Sequence, residues 1–284
     1  MKLHHPRTVD EAVTLLAKAL DTRCLAGGAT LVAMMNAELL APGTLVSLRD
    51  VESLKGISRT PDGTVVIGAM ANHVSLAETN DFDTGQRVVA EAASVIGHPA
   101  IRNMGTIGGA IAHADSAADY PAALAAAEAV IKTISSQGER SIPAAEFFVD
   151  YLETALQEGE MISSILIPPA PDGAAAYEKF ARVEGDFATV SVAVVLKEQQ
   201  GKIDYIRLAV GACAPTPIRS IEAEKILQRD GISDHTIALA AEQIITAADP
   251  VDDFRGTAEY RLKLIPVLIS RALERARSFQ KADI

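Results

Sequence analysis

Residues 167–173 read Ile-Pro-Pro-Ala-Pro-Asp-Gly, and this segment restricts the architecture of the chain more than any other. Three prolines and a glycine in so short a stretch cannot continue a helix or an interior strand, because proline has a fixed φ and no N–H to donate. The 284 residues also exceed what one hydrophobic core usually organises. We therefore predict two domains, residues 1–173 and 174–284, the first divided into lobes of about 1–57 and 58–173.

The charge balance argues against a nucleic-acid partner. The chain has 26 Lys and Arg residues against 37 Asp and Glu residues, a formal net charge of −11, whereas nucleic-acid binding needs a basic surface. The N-terminus lacks the apolar core of a signal peptide, and charges together with Pro266 interrupt the most apolar C-terminal stretch. No run approaches the roughly 20 apolar residues of a membrane span. We expect a cytoplasmic protein with no membrane span.

The cysteines and histidines do not predict a metal site. Cys24 and Cys213 are the only cysteines, whereas a [2Fe–2S] cluster needs about four ligands, so the chain alone cannot hold one. Both lie in apolar surroundings, and we expect buried free thiols rather than a disulfide. His98 and His113 have no ligand partner at helical spacing, and no nucleophile is paired with a base. We expect neither a catalytic side chain nor a metal ion here.

Hydrophobic periodicity predicts alternating helices and strands before residue 167. Thr8 and Glu11 have the spacing of a capping box, and apolar residues then recur at helical intervals as far as Leu20. Strands are predicted where apolar runs end at glycine or follow a turn, and helices where apolar residues recur every three or four positions. The predicted strands end at Leu25 or cover 44–48 and 65–69, and the predicted helices cover 30–39, 87–96 and 120–129.

Beyond residue 173 the pattern changes to strand-like segments followed by helices. The strands cover 176–182, 189–196 and 203–211, and a polar stretch with Gly201 joins the last two as a hairpin requires. The helices cover 221–227, 236–247 and 258–276. The second domain is therefore predicted to be a three-stranded antiparallel sheet covered by helices, which makes the fold class α+β.

Two glycine-containing loops point to an anion site. The first loop, residues 25–31, reads Leu-Ala-Gly-Gly-Ala-Thr-Leu, and the second loop, residues 105–110, reads Gly-Thr-Ile-Gly-Gly-Ala. A strand that ends in two glycines before a helix brings bare backbone N–H groups close to a phosphate, and the hydroxyls of Thr30 and Thr106 add donors. Two such loops suit a pyrophosphate, although each pair alone is more often a tight turn. Neither loop has the spacing of a Rossmann motif or a P-loop.

The same loops resemble a known pair of motifs. The sequence AGGATL at 26–31, and TIGGA at 106–110 followed by HADSAADYPAAL at 113–124, are similar to the FAD-binding signatures of the flavin subunit of molybdenum hydroxylases. Residues 96–103, 177–188 and 255–261 resemble further motifs of that family, in the same order. The resemblance covers nearly the whole chain and is strongest to the medium subunits of the carbon monoxide dehydrogenase and xanthine dehydrogenase type.

The resemblance implies a fold and a set of cofactor contacts. The fold is a two-lobed FAD-binding domain of the PCMH type, followed by a C-terminal domain with the three-stranded sheet and helices. Asp119 matches an aspartate on the adenosine side of FAD, and Lys179 matches a basic residue near the flavin ring. Without the resemblance, Asp119 is interpreted as a helix N-cap and Lys179 as a solvated strand residue. The residues implied to grip the pyrophosphate, mostly through backbone N–H groups, are Ala26, Gly27, Gly28, Ala29, Thr30, Thr106, Ile107, Gly108, Gly109 and Ala110.

Two positions depart from the family pattern. Many relatives have Asn after the second glycine pair, whereas this chain has Ala110, so one side-chain hydrogen bond to FAD is expected to be missing. The Asp-Tyr pair of the C-terminal motif is Asp186-Phe187 here. In relatives that Tyr lies close to the flavin face, so Phe187 keeps the ring, loses the hydroxyl and leaves the electron acceptor open.

The resemblance also implies a function shared among several subunits. This chain would carry FAD, take electrons from the [2Fe–2S] clusters of a small iron–sulfur subunit, and pass them to NAD⁺, a quinone or O₂. Hydroxylation would occur at the molybdopterin cofactor of a large subunit, and the expected assembly is a dimer of heterotrimers. Two alternatives stay open, namely a stand-alone PCMH-type flavoprotein oxidoreductase and a non-catalytic scaffold subunit that binds FAD poorly.

Overall fold

The computed structural model describes residues 1–18 and 21–282. The chain begins with a parallel three-stranded sheet of strands β1 (Lys2–His4), β2 (Thr22–Leu25) and β3 (Thr44–Ser47), in the order β1-β3-β2. Helices α1 (Val9–Leu16) and α2 (Leu31–Asn36) connect the strands. The predicted strands at Leu25 and 44–48 are confirmed, and the helix predicted over 30–39 is shorter.

Helix α1 begins where the sequence predicts. The Thr8 hydroxyl accepts a hydrogen bond from the Glu11 N–H at 3.2 Å, and the Glu11 carboxylate accepts one from the Arg7 N–H at 2.8 Å. These bonds satisfy donors that an α-helix leaves free at its N-terminus. The helix buries its apolar side in a small core shared with β3. The sequence pattern continues to Leu20, but residues 19 and 20 lie outside the described part of the chain.

A five-stranded antiparallel sheet forms the next lobe. Its strand order is β4-β5-β10-β6-β7, and β8 and β9 form a separate hairpin. The strands are β4 (Ile57–Arg59), β5 (Val65–Gly68), β6 (Val130–Ser135), β7 (Gly138–Pro143), β8 (Phe148–Asp150), β9 (Glu153–Thr154) and β10 (Met161–Ile167). The helices are α3 (His73–Glu78), α4 (Arg87–Ser94), α5 (Pro99–Met104), α6 (Ile107–His113), α7 (Tyr120–Ala126) and α8 (Ala144–Phe147). Every residue of α7 is buried, as its Ala-rich sequence predicts.

The C-terminal part is an antiparallel sheet with helices on one side. Its strands are β11 (Ala174–Phe180), β12 (Val190–Gln199), β13 (Lys202–Gly211) and β14 (Ile218–Arg219), in that order. The helices are α9 (Ile221–Asp230), α10 (Asp234–Thr246) and α11 (Ala258–Ala282). The prediction of three strands is wrong in number, because β14 adds a fourth. That strand pairs only through Ala209 and Val210 of β13, and so short a segment shows no alternation in the sequence.

The two faces of β12 pack into different cores. Val190, Val192 and Val194 belong to the apolar cluster formed with the C-terminal helices. Ala193 and Val195 point the other way and join the cluster that contains α4 and α7. A strand buried on both faces reads as a continuous apolar run, which residues 190–196 show. The C-terminal sheet therefore covers the preceding lobe directly.

The proline-rich segment is held in place by one buried glutamine. Gln86 is 1% exposed, and its Nε2 donates to the carbonyls of Ile167 and Pro168 at 3.1 and 3.0 Å and of Gly63 at 3.1 Å. Its Oε1 accepts from Arg59 at 2.9 Å. The turn that the prolines predict is thus a fixed part of the fold.

Among the described residues, no helix has the length and apolar character needed to span a membrane.

Candidate functional site

The two glycine loops meet at a cavity of about 540 Å³. This volume lies in the range of sites that bind small organic molecules and cofactors. Ile107 is fully buried behind the second loop, and Lys179 lies behind Asp119 rather than on the wall. The other residues singled out from the sequence all line the cavity: Ala26, Gly27, Gly28, Ala29, Thr30, Thr106, Gly108, Gly109, Ala110, Asp119 and Phe187.

The first and second loops touch each other through Gly27. A Cβ atom on Gly27 would lie 1.8 Å from the Met104 carbonyl oxygen and 3.0 Å from the Gly105 Cα. No side chain fits there, so the close contact between the loops requires glycine. Gly28 has φ +81°, a left-handed conformation that L-residues rarely adopt. Both positions of the first pair therefore require glycine: Gly27 because a side chain does not fit, and Gly28 because of its backbone conformation.

The first loop presents free donors. The backbone N–H groups of residues 26–30 donate to no acceptor within the described part of the chain. Buried or half-buried N–H groups normally have a partner, and a run without one fits a site built for an anionic ligand. Thr30 precedes α2 and makes no capping bond, so its hydroxyl is free to donate as well.

The second loop differs because the N–H groups of residues 107–110 all have acceptors within the protein. Those of Ile107 and Gly108 donate to the carbonyls of Ala71 and Ala69 at 3.0 and 2.9 Å. The Gly109 N–H donates to the Thr106 hydroxyl at 3.2 Å, which caps α6. The Ala110 N–H donates to the Thr106 carbonyl at 2.9 Å. The second loop therefore mainly shapes the cavity wall, while most of the available backbone donors come from the first.

Asp119 forms a buried hydrogen-bonded cluster with two residues of β11. Its Oδ1 accepts from the Tyr177 hydroxyl at 2.8 Å and its Oδ2 from the Lys179 ammonium at 3.1 Å. The side chains of the ion pair are 4% and 8% exposed. Although Asp119 precedes α7, its side chain makes no capping bond to any described residue, so its interpretation as an N-cap is wrong. The Lys179 side chain is 8% exposed and also donates to the Val95 carbonyl at 3.0 Å, so its interpretation as a solvated strand residue is wrong too.

The cluster combines opposing effects on the Asp119 carboxyl. Burial raises its pKa, while the positive charge of Lys179 and the hydrogen bonds from Tyr177 and Lys179 lower it, and the net direction is upward. Burial also raises the pKa of the Tyr177 hydroxyl well above its usual value, so the phenol stays protonated and donates. Asp119 is thus a cavity-wall acceptor whose negative charge depends on Lys179.

A second buried pair was not predicted from the sequence. His73 Nδ1 lies 2.9 Å from the Tyr120 hydroxyl, both residues line the cavity, and both are at most 4% exposed. A Cβ atom on Gly105 would lie 2.6 Å from His73 Nε2, so the imidazole packs directly against the second loop. A histidine in an ordinary helical segment carries no sequence signal of such a pairing, because its partner is 47 positions away.

We predict a pH dependence from His73. Burial lowers its pKa to about 4, helped by the charge of Arg102. A lowered histidine pKa contributes stability above the unfolded value, near 6.5, that is lost as pH falls toward 4. Between pH 7 and 5 the wild-type protein should lose about 2 kcal/mol of unfolding free energy relative to His73→Gln. Urea denaturation at both pH values measures this difference, and parallel losses in the two proteins would contradict it.

Phe187 comes from the segment between β11 and β12 and reaches the cavity from the C-terminal part of the chain. The residue is 41% exposed, so it stands at the mouth.

Both cysteines are free, and burial raises the pKa of each thiol to about 12. Cys213 is buried as predicted, whereas Cys24 is half-buried in the cavity wall. No group of metal-ligating side chains lies together within residues 1–18 and 21–282.

Comparison with known proteins agrees with this geometry. Residues 1–170 match the family described as the FAD binding domain in molybdopterin dehydrogenase, and residues 175–276 match the CO dehydrogenase flavoprotein C-terminal domain. The two lobes, the glycine-lined cavity and the helix-covered sheet thus define a two-lobed FAD-binding protein. The chain belongs to the family of FAD-binding medium subunits of molybdenum hydroxylases, of the carbon monoxide dehydrogenase and xanthine dehydrogenase type.

Individual relatives are similar over almost their whole length. The carbon monoxide dehydrogenase medium chain of Afipia carboxidovorans is 38% identical, over 98% of this chain and 97% of that protein. The alpha subunit of the 6-hydroxypseudooxynicotine dehydrogenase complex of Paenarthrobacter nicotinovorans is also 38% identical, over 95% of this chain and 92% of that protein. A chain of the solved carbon monoxide dehydrogenase from Hydrogenophaga pseudoflava superposes with a TM-score of 0.93, at 36% identity, covering 98% and 97% of the two chains.

Proposed function

We propose that this chain binds FAD in the glycine-lined cavity and transfers electrons within a molybdenum hydroxylase complex. The observation that supports the proposal is the first loop, whose residues line the cavity and whose five consecutive N–H groups donate to no acceptor among the described residues. When bound, FAD accepts and releases electrons at its isoalloxazine ring. The chain's own task is to hold the cofactor, orient it and control access to the ring.

The two loops have different tasks in this proposal. The first loop, through Ala26, Gly27, Gly28, Ala29 and Thr30, donates backbone hydrogen bonds to the pyrophosphate. The second loop supports it, because Gly27 packs on the Met104–Gly105 backbone and the N–H groups of residues 107–110 are engaged within the protein. The Thr106 hydroxyl accepts from Gly109 and keeps its own proton available for a phosphate oxygen.

We infer that Asp119 and Lys179 contact the same end of an extended cofactor, because they form one ion pair at 3.1 Å. Neighbouring contacts favour the flavin end. Lys179 donates to the Val95 carbonyl, and a Cβ on Gly185 would lie 2.8 Å from the Gly97 carbonyl oxygen, so segments 95–98 and 183–187 meet here. We infer that the pair lies beside the flavin ring, below Phe187, with Asp119 accepting from a ligand donor and Lys179 keeping it charged.

Family membership supports the proposed partners. The Paenarthrobacter relative is named as a subunit of a complex, and the Afipia relative as a medium chain. We propose that a small iron–sulfur subunit supplies electrons to this chain, that a large molybdopterin subunit performs the hydroxylation, and that the assembly is a cytoplasmic dimer of heterotrimers. Within the chain we propose a domain boundary at residues 173 and 174. The acceptor, whether NAD⁺, a quinone or O₂, is expected to approach at Phe187.

A comparison of flavins tests the cofactor proposal. The purified chain is titrated with FAD, FMN and riboflavin, and binding is followed by flavin absorbance and fluorescence. If the first loop holds a pyrophosphate, FAD should bind at least about tenfold more tightly than FMN, because each lost charge-assisted hydrogen bond costs about 1.5–3 kcal/mol. Equal affinities would place the anion contact elsewhere. Absence of FAD binding, alone and after coexpression with the iron–sulfur and molybdopterin subunits, would refute the proposal.

A further inference from the structure

Phe187, at the mouth of the cavity, lies beside Arg255, which also contacts Phe254. The Arg255 guanidinium carbon lies 5.5 Å from the centre of the Phe187 ring and 4.4 Å from that of Phe254. Phe187 lines the cavity, whereas Phe254 is 71% exposed. A guanidinium within about 6 Å of a ring face is attracted to it. Arg255 therefore contacts the ring that borders the proposed flavin site.

Arg255 is itself fixed by Asp253. Its Nη1 donates to Asp253 Oδ2 at 2.9 Å, and its backbone N–H donates to Asp253 Oδ1 at 2.8 Å. The Arg255 side chain is 18% exposed, so it has little freedom to move into solvent. Partial burial disfavours ionisation of Asp253, but the hydrogen bonds from Arg255 and Arg261 outweigh it and hold the pKa of that carboxyl below its usual value.

Arg261 joins this loop to the segment that carries Phe187. Its side chain is 3% exposed, and its Nη2 donates to Asp253 Oδ1. Its Nη1 donates to the carbonyls of Thr189 and Ala212. Thr189 follows Phe187 by two positions, so one buried guanidinium binds both the loop that holds Arg255 and the backbone that holds the ring. Residues 255–261 were recognised from the sequence as a motif, and these contacts give that motif a role.

We propose that Arg255, anchored by Asp253 and Arg261, is the positioning residue that holds the Phe187 ring at the mouth of the cavity. The ring and its support come entirely from the C-terminal part of the chain, whereas the first and second loops come from the N-terminal part. When FAD is bound, the ring limits how closely an oxidant approaches the flavin. This consequence rests on the proposed function. The C-terminal domain would thereby set the rate at which reduced flavin reacts.

A tryptophan at position 187 reports on the ring directly, because the chain has no tryptophan of its own. Phe187→Trp gives a protein with a single emitter at the mouth, and tryptophan is the aromatic side chain that arginine contacts best. The full chain is compared as Phe187→Trp alone and combined with Arg255→Met, Arg255→Lys or Asp253→Asn. Acrylamide quenching and emission anisotropy measure how exposed and how mobile the ring is.

Arg207→Met in the same background is the matched control. Arg207 also stacks on an aromatic ring, with its guanidinium carbon 4.2 Å from the centre of the Tyr205 ring, and also binds a carboxylate, Glu128 at 2.9 Å. Neither Arg207 nor Tyr205 lines the cavity. A general loss of stability would affect this variant as well, whereas a loss specific to the mouth would not.

We expect Arg255→Met and Asp253→Asn to raise the quenching constant at least about twofold and to lower the anisotropy, with Arg255→Lys intermediate because lysine keeps the charge but has no planar face. Arg207→Met should match the Phe187→Trp parent. Unchanged quenching in both Arg255→Met and Asp253→Asn would overturn the proposal, as would an equal rise in the control.

Addition of FAD separates this inference from the proposed function. With FAD in the cavity, the tryptophan emission of the Phe187→Trp parent should fall through energy transfer to the nearby flavin. If quenching by acrylamide depends on Arg255 but FAD leaves the emission unchanged, the positioning role stands and the proposed cofactor site fails.

In protein that binds FAD, dithionite-reduced flavin should reoxidise at least about twofold faster in Arg255→Met than in the wild type, and equal rates would contradict control of access by the ring.

Discussion

Gly27→Ala is expected to abolish tight FAD binding while leaving a folded protein. The added methyl group would lie 1.8 Å from the Met104 carbonyl oxygen, and that atom belongs to backbone, which cannot turn aside as a flexible side chain does. The first loop must therefore move away from the second, and its unbonded N–H groups move with it. Losing two charge-assisted hydrogen bonds at about 1.5 kcal/mol each corresponds to roughly a hundredfold loss of affinity.

Gly201→Ala provides the control for this substitution. Gly201 has φ +79°, and no atom of residues 1–18 and 21–282 lies within 4 Å of an added Cβ, so alanine there meets backbone strain and no clash. We expect a loss of about 1–2 kcal/mol of unfolding free energy and unchanged FAD affinity. FAD titration and circular dichroism of both variants make the comparison. A folded Gly27→Ala protein with wild-type affinity would show that the loops do not form the cofactor cradle.

Lys179→Met should cause the largest loss of stability among single changes at the site. It leaves the Asp119 carboxylate buried without its cation, and breaking one side of a buried ion pair costs about 3–5 kcal/mol. Asp119→Asn combined with Lys179→Met removes both charges and should recover much of that loss. Lys132→Met is the control, because its pair with Glu139 spans 3.7 Å with Glu139 60% exposed, and such pairs contribute less than about 1 kcal/mol.

The pH dependence of Lys179→Met gives a second test of the same pair. Without Lys179, the already raised pKa of Asp119 rises further, because the opposing positive charge is gone. A carboxyl whose folded pKa is raised binds a proton more readily in the folded state, so the associated stability is present at low pH and lost as pH rises. The deficit relative to wild type should therefore be smaller at pH 5 than at pH 8. Urea unfolding at both pH values measures the deficit in unfolding free energy, and an equal deficit at pH 5 and pH 8 would mean that Asp119 stays ionised.

The sequence predicts well those structural features that depend on residues close together in the chain. Both glycine loops lie where their spacing places them, and the Thr8–Glu11 cap forms as expected. Strand β12 also lies close to its predicted bounds, because a run buried on both faces is apolar throughout. Each of these features depends on residues a few positions apart, so the physical cause is present in the local sequence.

Features that depend on distant residues are not predicted by the local sequence. Asp119 precedes a helix and has the sequence of a cap, but its carboxylate turns to Tyr177 and Lys179, about 60 positions later. The N–H groups of the second loop look as free as those of the first until Ala69 and Ala71 are seen to accept from them. In each case a partner from another element changes the role of the residue, and local spacing contains no record of that partner.

The hydrogen bonds from Gln86 to the proline-rich turn have a consequence for how the two parts of a protein of this family can be exchanged. The turn separates two family matches, yet it is bound to the preceding lobe, and one apolar cluster runs from α4 and α7 into Tyr177, Ala193 and Val195 beyond it. An exchange of C-terminal halves between relatives would put surfaces from two different proteins against each other within that cluster. The two family matches thus share one apolar core, so a change in one half should require a compensating change in the other.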